Sequence, residues 1–382
     1  MIDKQQNIDI IILKNTYFQS MQDIDLGKYR LLSKRMHGLI FQRVFDPSLV
    51  SFNVGKFKFS GVHMPKWVTK TKPLAHLLFI FSCMSKAFRI RLNGQKVGYV
   101  LATDPHSSGV IAWLVASLIG AKLVVEFNGN TGARKTWNAF GSNWVGHLKY
   151  QYCQFIIPFI MKRSFAVKLL YPEQLSPFKK ELSHPNISIF HEYVPISKLK
   201  PAEVSEKFIL FLGMPWHVKG LDLLIKAFNS ICHKYDGYLR VVGYLSKEDK
   251  IIIDKLIGGN RKIVVQKPVF YEEAQRIIHN CDFLVLPSRT EAMGRVLLEA
   301  MAHKKAVIGS SADGIPTYLI DKQYGLIFKS GDWADLGRKL AVMIDSPNLK
   351  LSFAEAGNKA ANTKYSEQVY LENYVKLLKF EQ

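Results

Sequence analysis

Cysteine is scarce in this chain, and acid is scarce in its first half. Four cysteines occur in 382 residues. Cys83, Cys153, Cys232 and Cys281 each lie in an apolar periodic segment, and none forms a CxxC pair. That spacing excludes a disulfide framework and a zinc ribbon, and points to reduced thiols in a core. The eleven histidines make no metal-binding cluster, and no DxD stands in a loop to hold a divalent cation. Strict repeats, low-complexity tracts and Ser/Gly linkers are absent. The opening MIDKQQNIDIII has no basic stretch leading into an apolar core and a small-residue cleavage site, so it does not read as a signal peptide.

Residues 51–100 contain nine Lys and Arg and no Asp or Glu. The whole chain has 52 basic against 31 acidic residues, a net charge of +21. Residues 1–200 hold 27 Lys and Arg against 10 Asp and Glu, and the remainder 25 against 21, so nearly all the excess sits in the first half. Such a surface needs an anionic partner: nucleic acid, anionic lipid or an acidic substrate. Neither an aromatic-and-basic RNA signature nor helix-turn-helix spacing is found, which argues against nucleic acid. Two segments add apolar mass beside the charge. One is residues 74–92, flanked by Lys66, Trp67, Lys70 and Lys72; the other is residues 144–170, with Tyr150, Tyr152, Phe155 and Phe159 beside Lys149, Lys162 and Arg163. Neither reads as the ~20 apolar residues that span a bilayer. Both suit helices lying in an anionic membrane surface, the alternative being core helices with solvated basic ends.

The length exceeds the ~250 to 300 residues at which single cores stop growing, so two domains are expected. Short apolar runs alternate with helical periods in both halves. The first gives IDIIIL, VGYVLA, AKLVVEF and FAVKLL; the second gives FILFL, YLRVVG, KIVVQ, DFLVL and KAVIG. This is the pattern of parallel sheets with crossover helices. The polar, proline-bearing stretch near 195–205 places a boundary between domains 1–198 and 199–365. A last helix, 366–382, has Tyr370, Tyr374, Leu377 and Leu378 as its inner face.

The richest segment is LPSRTEAMGRVLLEAMAHKKAVIGS. A strand ends at Pro287, a loop carries Glu291, and a helix begins near Gly294 with Glu299 about one turn in. At the carboxyl edge of a parallel sheet, the first amides of such a helix point at an anion. Carboxylates repel phosphate, so Glu291 and Glu299 are left for hydroxyls. A ligand with hydroxyls and phosphate is a sugar nucleotide. Upstream, FILFLGMPWHVKGLDLLIKAF reads as a strand, a loop with Gly213, Lys219 and Gly220, and a helix. The lysine puts a cation where a diphosphate would lie.

The E-x7-E arrangement and its setting resemble the donor-site signature of retaining glycosyltransferases of family 4, with the GT-B fold. The likeness covers residues 205–335 well and the first half loosely. It implies an α/β fold of two Rossmann-like domains whose parallel sheets face across a cleft. It also implies transfer of a hexose-type sugar from a nucleotide diphosphate donor, with retention and without a metal or other cofactor. Glu291 would lie beside the transferred sugar and Glu299 on the ribose hydroxyls. Gly213, Lys219, Met293, Gly294 and Arg295 would complete the donor site.

Three departures stand out. Met214 occupies the place of the family's arginine, leaving Arg289 or Arg295 to supply that charge. Asp313 and Thr317 stand where glycine and glutamate are usual. Asn128 replaces a histidine at the end of LVVEFNGN, and is the candidate to hydrogen-bond the sugar. Asp104, His106 and Glu126 are candidates for the acceptor side; turn residues ending a strand are the plain alternative. With the basic, apolar first half, the expectation is a lipid-linked or glycan acceptor at the inner face of the cell membrane, as in capsule, exopolysaccharide or lipopolysaccharide assembly. A sugar-nucleotide epimerase or phosphorylase of the same fold, and a non-catalytic basic nucleic-acid-binding protein, are the alternatives.

Overall fold

The computed structural model describes residues 7–18, 25–69, 71–138, 143–181, 184, 186–195 and 206–379. It divides into two compact units. One comprises the described residues up to Phe190 together with those from Leu371; the other runs His191–Tyr370. The boundary expected at 198/199 and Lys70 lie outside the described residues, as do the side chains of Lys66 and Lys72.

The first unit is built on a nine-stranded sheet. Its strands are β1 (Ile8–Phe18), β2 (Gly38–Val44), β3 (Ser51–Val54), β4 (Phe57–Ser60), β5 (Val62–His63), β6 (Val97–Ala102), β7 (Lys122–Glu126), β8 (Ala166–Leu169) and β9 (Ile187–Ile189). The order is β3-β4-β2-β1-β6-β7-β8-β9, with β5 also on β2. All pairings are parallel except β3 with β4. The chain leaves β1 towards β2 and returns to β1's other side at β6. A crevice opens at the carboxyl ends of two strands whose connections diverge in this way, here β1 and β6. Strands β2 to β5 were not legible as a group, because Gln42 and Arg43 break the apolar run of a strand that is nevertheless buried along its length.

Two helices of this unit explain the mixed apolar and basic segments. Lys72–Leu92 packs Ala75, Phe79, Cys83, Ala87 and Ile90 into the core. Its other side exposes Leu77, Phe81, Phe88 and Leu92, with Phe81 at 74%. Residues Pro73–Leu92 are long and apolar enough to cross a membrane by length and composition, which corrects the expectation that they fall short. The inner stripe nonetheless belongs to the core. In the helix Asn143–Met161, Cys153, Ile157 and Ile160 face inward, while Trp144, Leu148, Tyr152 and Phe155 recur on the exposed side. Burial pushes the Cys83, Cys153 and Cys281 thiols up to about 12, so they stay protonated. No disulfide is formed, and Cys232 is half-buried.

The second unit repeats the plan with six strands: β10 (Phe208–Leu212), β11 (Tyr238–Val242), β12 (Ile263–Gln266), β13 (Phe283–Leu286), β14 (Ala306–Ser310) and β15 (Leu326–Phe328). The order β12-β11-β10-β13-β14-β15 is parallel throughout, and the connections diverge between β10 and β13. The helix Leu221–Ile231 lays Leu221, Leu224, Ile225 and Phe228 on the sheet. The last helix, Glu367–Leu378, buries Tyr370, Tyr374, Leu377 and Leu378, the inner face read from the sequence.

Candidate active site

In the second unit, the loops after β10, β13 and β14 meet at the divergence point. Gly220 is required there twice over. Its φ is +71°, and a Cβ would stand 2.0 Å from the Pro287 carbonyl oxygen. The two loops therefore touch backbone to backbone, which brings Lys219 onto Glu291: the ammonium is hydrogen-bonded to Oε2. Ser288 Oγ donates to the same oxygen at 3.1 Å. Gly294 has φ +70°, and a Cβ would meet Leu286, Tyr318 and Glu291 at 2.8 to 3.2 Å. The helix Arg295–Ala302 can thus begin directly behind Glu291. Met293 is buried beneath the loop, and Tyr318 anchors the turn by donating to the Gly294 carbonyl at 3.1 Å.

Asp313 takes the left-handed conformation that glycine would favour, with φ +44°. That strain, of order 1 to 2 kcal/mol, is offset by two hydrogen bonds to its Oδ2: from Thr290 Oγ1 at 2.7 Å and from the Glu291 amide at 3.0 Å. Gly314 N in turn donates to the Glu291 carbonyl at 3.0 Å. Thr317 Oγ1 lies 2.8 Å from His191 Nε2.

Glu299 is 7% exposed. Arg295 Nε lies 3.2 Å from its Oε1, and Gln275 Nε2 donates to Oε2 at 3.0 Å. Burial is the main influence on this carboxyl and raises its pKa against the pull of Arg295 and Gln275. Behind Gln275 stands a histidine pair. His303 Nε2 is 2.8 Å from Gln275 Oε1, and His303 Nδ1 is 3.3 Å from His279 Nδ1. Burial and the neighbouring His279 pull His303 down to about 4, so it is neutral at pH 7. A neutral His303 with its proton on Nε2 donates to Gln275 Oε1, and the Gln275 amide is thereby turned to donate to Glu299. The i,i+4 pairs Gln275/His279 and Glu299/His303 were the available signal for this network.

The two arginines considered for the missing charge are otherwise engaged. Arg289 grips Asp222 through two bonds of 2.7 and 2.8 Å and donates to the His217 carbonyl at 2.7 Å. Arg295 is on Glu299. Lys219 is the cation the structure sets on Glu291.

In the first unit, four candidates cluster at strand ends: Glu126 closes β7 with Asn128 just beyond it, and Asp104 and His106 follow β6. Glu126 has 0% exposure and corrects the expectation that it meets an acceptor. Lys28 Nζ contacts both its oxygens at 2.8 and 2.9 Å, and Lys168 Nζ lies 3.8 Å away. Asn128 Nδ2 donates to Glu126 Oε2 at 3.0 Å and to the Thr103 carbonyl at 3.1 Å, so Glu126 positions Asn128. Asp104 caps the helix Ser107–Ile119, accepting from the amides of His106, Ser107 and Ser108 at 2.6 to 3.2 Å and from Ser108 Oγ at 2.5 Å. His106 Nδ1 is 3.1 Å from Asp104, and its ring meets Trp137 edge-on. Among the described residues, no group of three or more His, Cys, Asp or Glu side chains is placed to hold a metal ion.

Two sheets, parallel but for the β3–β4 pair and each with a divergence point, define the two-domain α/β architecture of the GT-B fold. Sucrose-phosphate synthase from Thermosynechococcus elongatus superposes with a TM-score of 0.79 at 15% identity, over 98% of both chains. Anabaena HepE, solved with UDP-glucose, gives 0.73 at 13% identity, over 98% of this chain and 100% of that one. Residues 196–360 match the model of the family described as glycosyl transferases group 1. An uncharacterized glycosyltransferase of Methanocaldococcus jannaschii is 31% identical over 165 residues, 42% of this chain and 44% of that protein. The capsular polysaccharide biosynthesis glycosyltransferase CapM of Staphylococcus aureus is 26% identical over 173 residues, 44% of this chain and 45% of that protein. The chain thus spans about half the length of the curated relatives it matches.

Proposed function

We propose that the protein is a retaining glycosyltransferase that moves a hexose-type sugar from a nucleotide diphosphate donor to a lipid-linked acceptor, in bacterial capsule, exopolysaccharide or lipopolysaccharide assembly. The observation that carries this reading is the Lys219–Glu291 contact at the β10/β13 divergence point, inside the stretch that matches the family. Glu299 accepts from the ribose hydroxyls. Lys219 and the first amides of the helix Arg295–Ala302 offset the diphosphate charge without a metal, and Lys219 turns from Glu291 towards phosphate when the donor binds. Glu291 then lies against the sugar. The acceptor oxygen attacks C1 on the face from which the diphosphate leaves. The C1–O bond to phosphate breaks, the new C1–O bond forms, and the acceptor's proton passes to the departing phosphate oxygen.

The exposed apolar sides of the helices Lys72–Leu92 and Asn143–Met161, in the half that carries most of the positive charge, support a place at the inner face of the cell membrane. HepE's complex with UDP-glucose and CapM's capsular role support a sugar-nucleotide donor and a polysaccharide pathway. A thermal-shift panel of UDP-, GDP-, ADP- and dTDP-sugars tests the donor. Stabilisation by one base with its sugar is expected; no shift with any of the four contradicts the proposal.

A further inference from the structure

The first unit has its own divergence point, between β1 and β6, and a polar cluster fills it. Arg43, at the end of β2, is 8% exposed. Its NH2 lies 3.1 Å from His76 Nδ1. Its guanidinium carbon stands 5.6 Å from the Tyr17 ring centroid and 5.0 Å from that of Phe79. Among the described residues no carboxylate lies within ion-pair distance of it, and Nε is buried without a hydrogen-bond partner. Asn15 joins the group from β1. Its Nδ2 is 3.0 Å from His76 Nδ1 and is hydrogen-bonded to Ser107 Oγ, its amide donates to Ser108 Oγ at 3.1 Å, and its Oδ1 is buried and unpartnered.

A guanidinium taken out of water without a counter-ion is costly, and aromatic faces return only part of that cost. His76 cannot supply the missing negative charge, since an imidazole is either neutral or cationic; burial and the adjacent Arg43 lower its pKa, against a smaller opposite influence of Asp104. Asp104, the acid of this cluster, has its oxygens taken up by the helix amides and Ser108. A planar fork of donors with free valence at a strand-edge crevice matches phosphate oxygens.

Resting on the acceptor reading above, we propose that Arg43, oriented by His76 and Asn15, binds a phosphate group of the acceptor at the carboxyl ends of β1, β2 and β6. The group belongs either to a lipid diphosphate or to a soluble phosphate ester. Arg43 then serves binding at some expense to the stability of the ligand-free fold.

The experiment uses the full chain with UDP at saturation, so that the diphosphate place beside Lys219 is filled. Inorganic pyrophosphate and geranyl diphosphate are titrated by calorimetry into wild type, Arg43→Met and Arg43→Lys. Methionine keeps the side chain's apolar bulk and removes the charge; lysine keeps the charge and loses the fork. Arg43→Met is expected to bind both probes about tenfold or more weakly, with UDP affinity unchanged and a ligand-free melting temperature equal to or above wild type. Arg43→Lys is expected to fall between. Tighter binding of geranyl diphosphate than of pyrophosphate assigns a lipid source, and equal binding a soluble one. If wild type binds UDP but neither probe, or if Arg43→Met binds like wild type or melts several degrees lower, the phosphate site is refuted while the glycosyltransferase reading stands. A wild type that binds no nucleotide in the donor panel refutes that reading instead.

Discussion

Replacing Glu299 by glutamine separates binding from folding more cleanly than any other change at the site. The substitution keeps the volume and removes the charge of a carboxylate that is 7% exposed. On the proposed reading, ribose hydroxyls donate to an ionised Glu299 in wild type, and hydrogen bonds to charged groups contribute ~1.5 to 3 kcal/mol. Neutralisation therefore weakens nucleoside diphosphate binding by about ten- to 150-fold. Stability moves the other way. Burial raises the folded-state pKa of Glu299 above its unfolded value, with Arg295 and Gln275 opposing. Such a group's stabilising contribution is complete below the unfolded carboxyl pKa and is lost as pH rises through the folded one. At pH 7 the ligand-free variant is thus expected to be at least as stable as wild type. Wild-type nucleotide affinity is expected to fall as pH is lowered through the raised Glu299 pKa, while that of Glu299→Gln stays flat. Calorimetry across acidic to neutral pH reads both. Unchanged affinity in the variant, or the same pH profile in both proteins, refutes the ribose role.

Three further outcomes follow from the geometry. Lys219→Ala should lose affinity for the nucleoside diphosphate far more than for the bare nucleoside; an equal loss by calorimetry means that the residue only supports the loop. Gly220→Ala places a methyl 2.0 Å from the Pro287 carbonyl at φ +71°; it should destabilise the second unit by ~1 to 3 kcal/mol, read as a lower denaturant midpoint, and an unchanged midpoint refutes the close approach. Changing Phe81 and Phe155 together to serine should reduce the salt-resistant part of sedimentation with anionic vesicles and spare the salt-sensitive part; wild type that stays in the supernatant at low salt removes the membrane reading.

The second unit was the more legible because its chemistry is local. β10, β13 and β14 are apolar runs; Lys219, Glu291 and the glycines that fold their loops follow β10 and β13 directly in the chain, and Glu299 sits on the helix that comes next after β13. What escaped needed partners far along the chain. Glu126 reads as a strand-end acid until Lys28 and Lys168 arrive from other segments. Arg289 reads as a spare cation until Asp222, on the helix Leu221–Ile231, takes it. Gln275 and His303 come from separate segments, and only packing shows that His303 meets Gln275 and that Gln275 meets Glu299. β2 went unread because a buried strand carrying Gln42 and Arg43 resembles a surface segment, and the basic count hid Arg43 among residues that face water.

Release of nucleoside diphosphate from the sugar nucleotide selected by the thermal-shift panel, measured with an extracted lipid-linked acceptor for wild type and Glu291→Gln, tests the central claim most directly. The account predicts acceptor-dependent release by wild type, with the sugar joined in the donor's anomeric configuration, and at least tenfold slower release by Glu291→Gln at similar nucleotide affinity. Equal rates in the two proteins, or a product of inverted configuration, would contradict it.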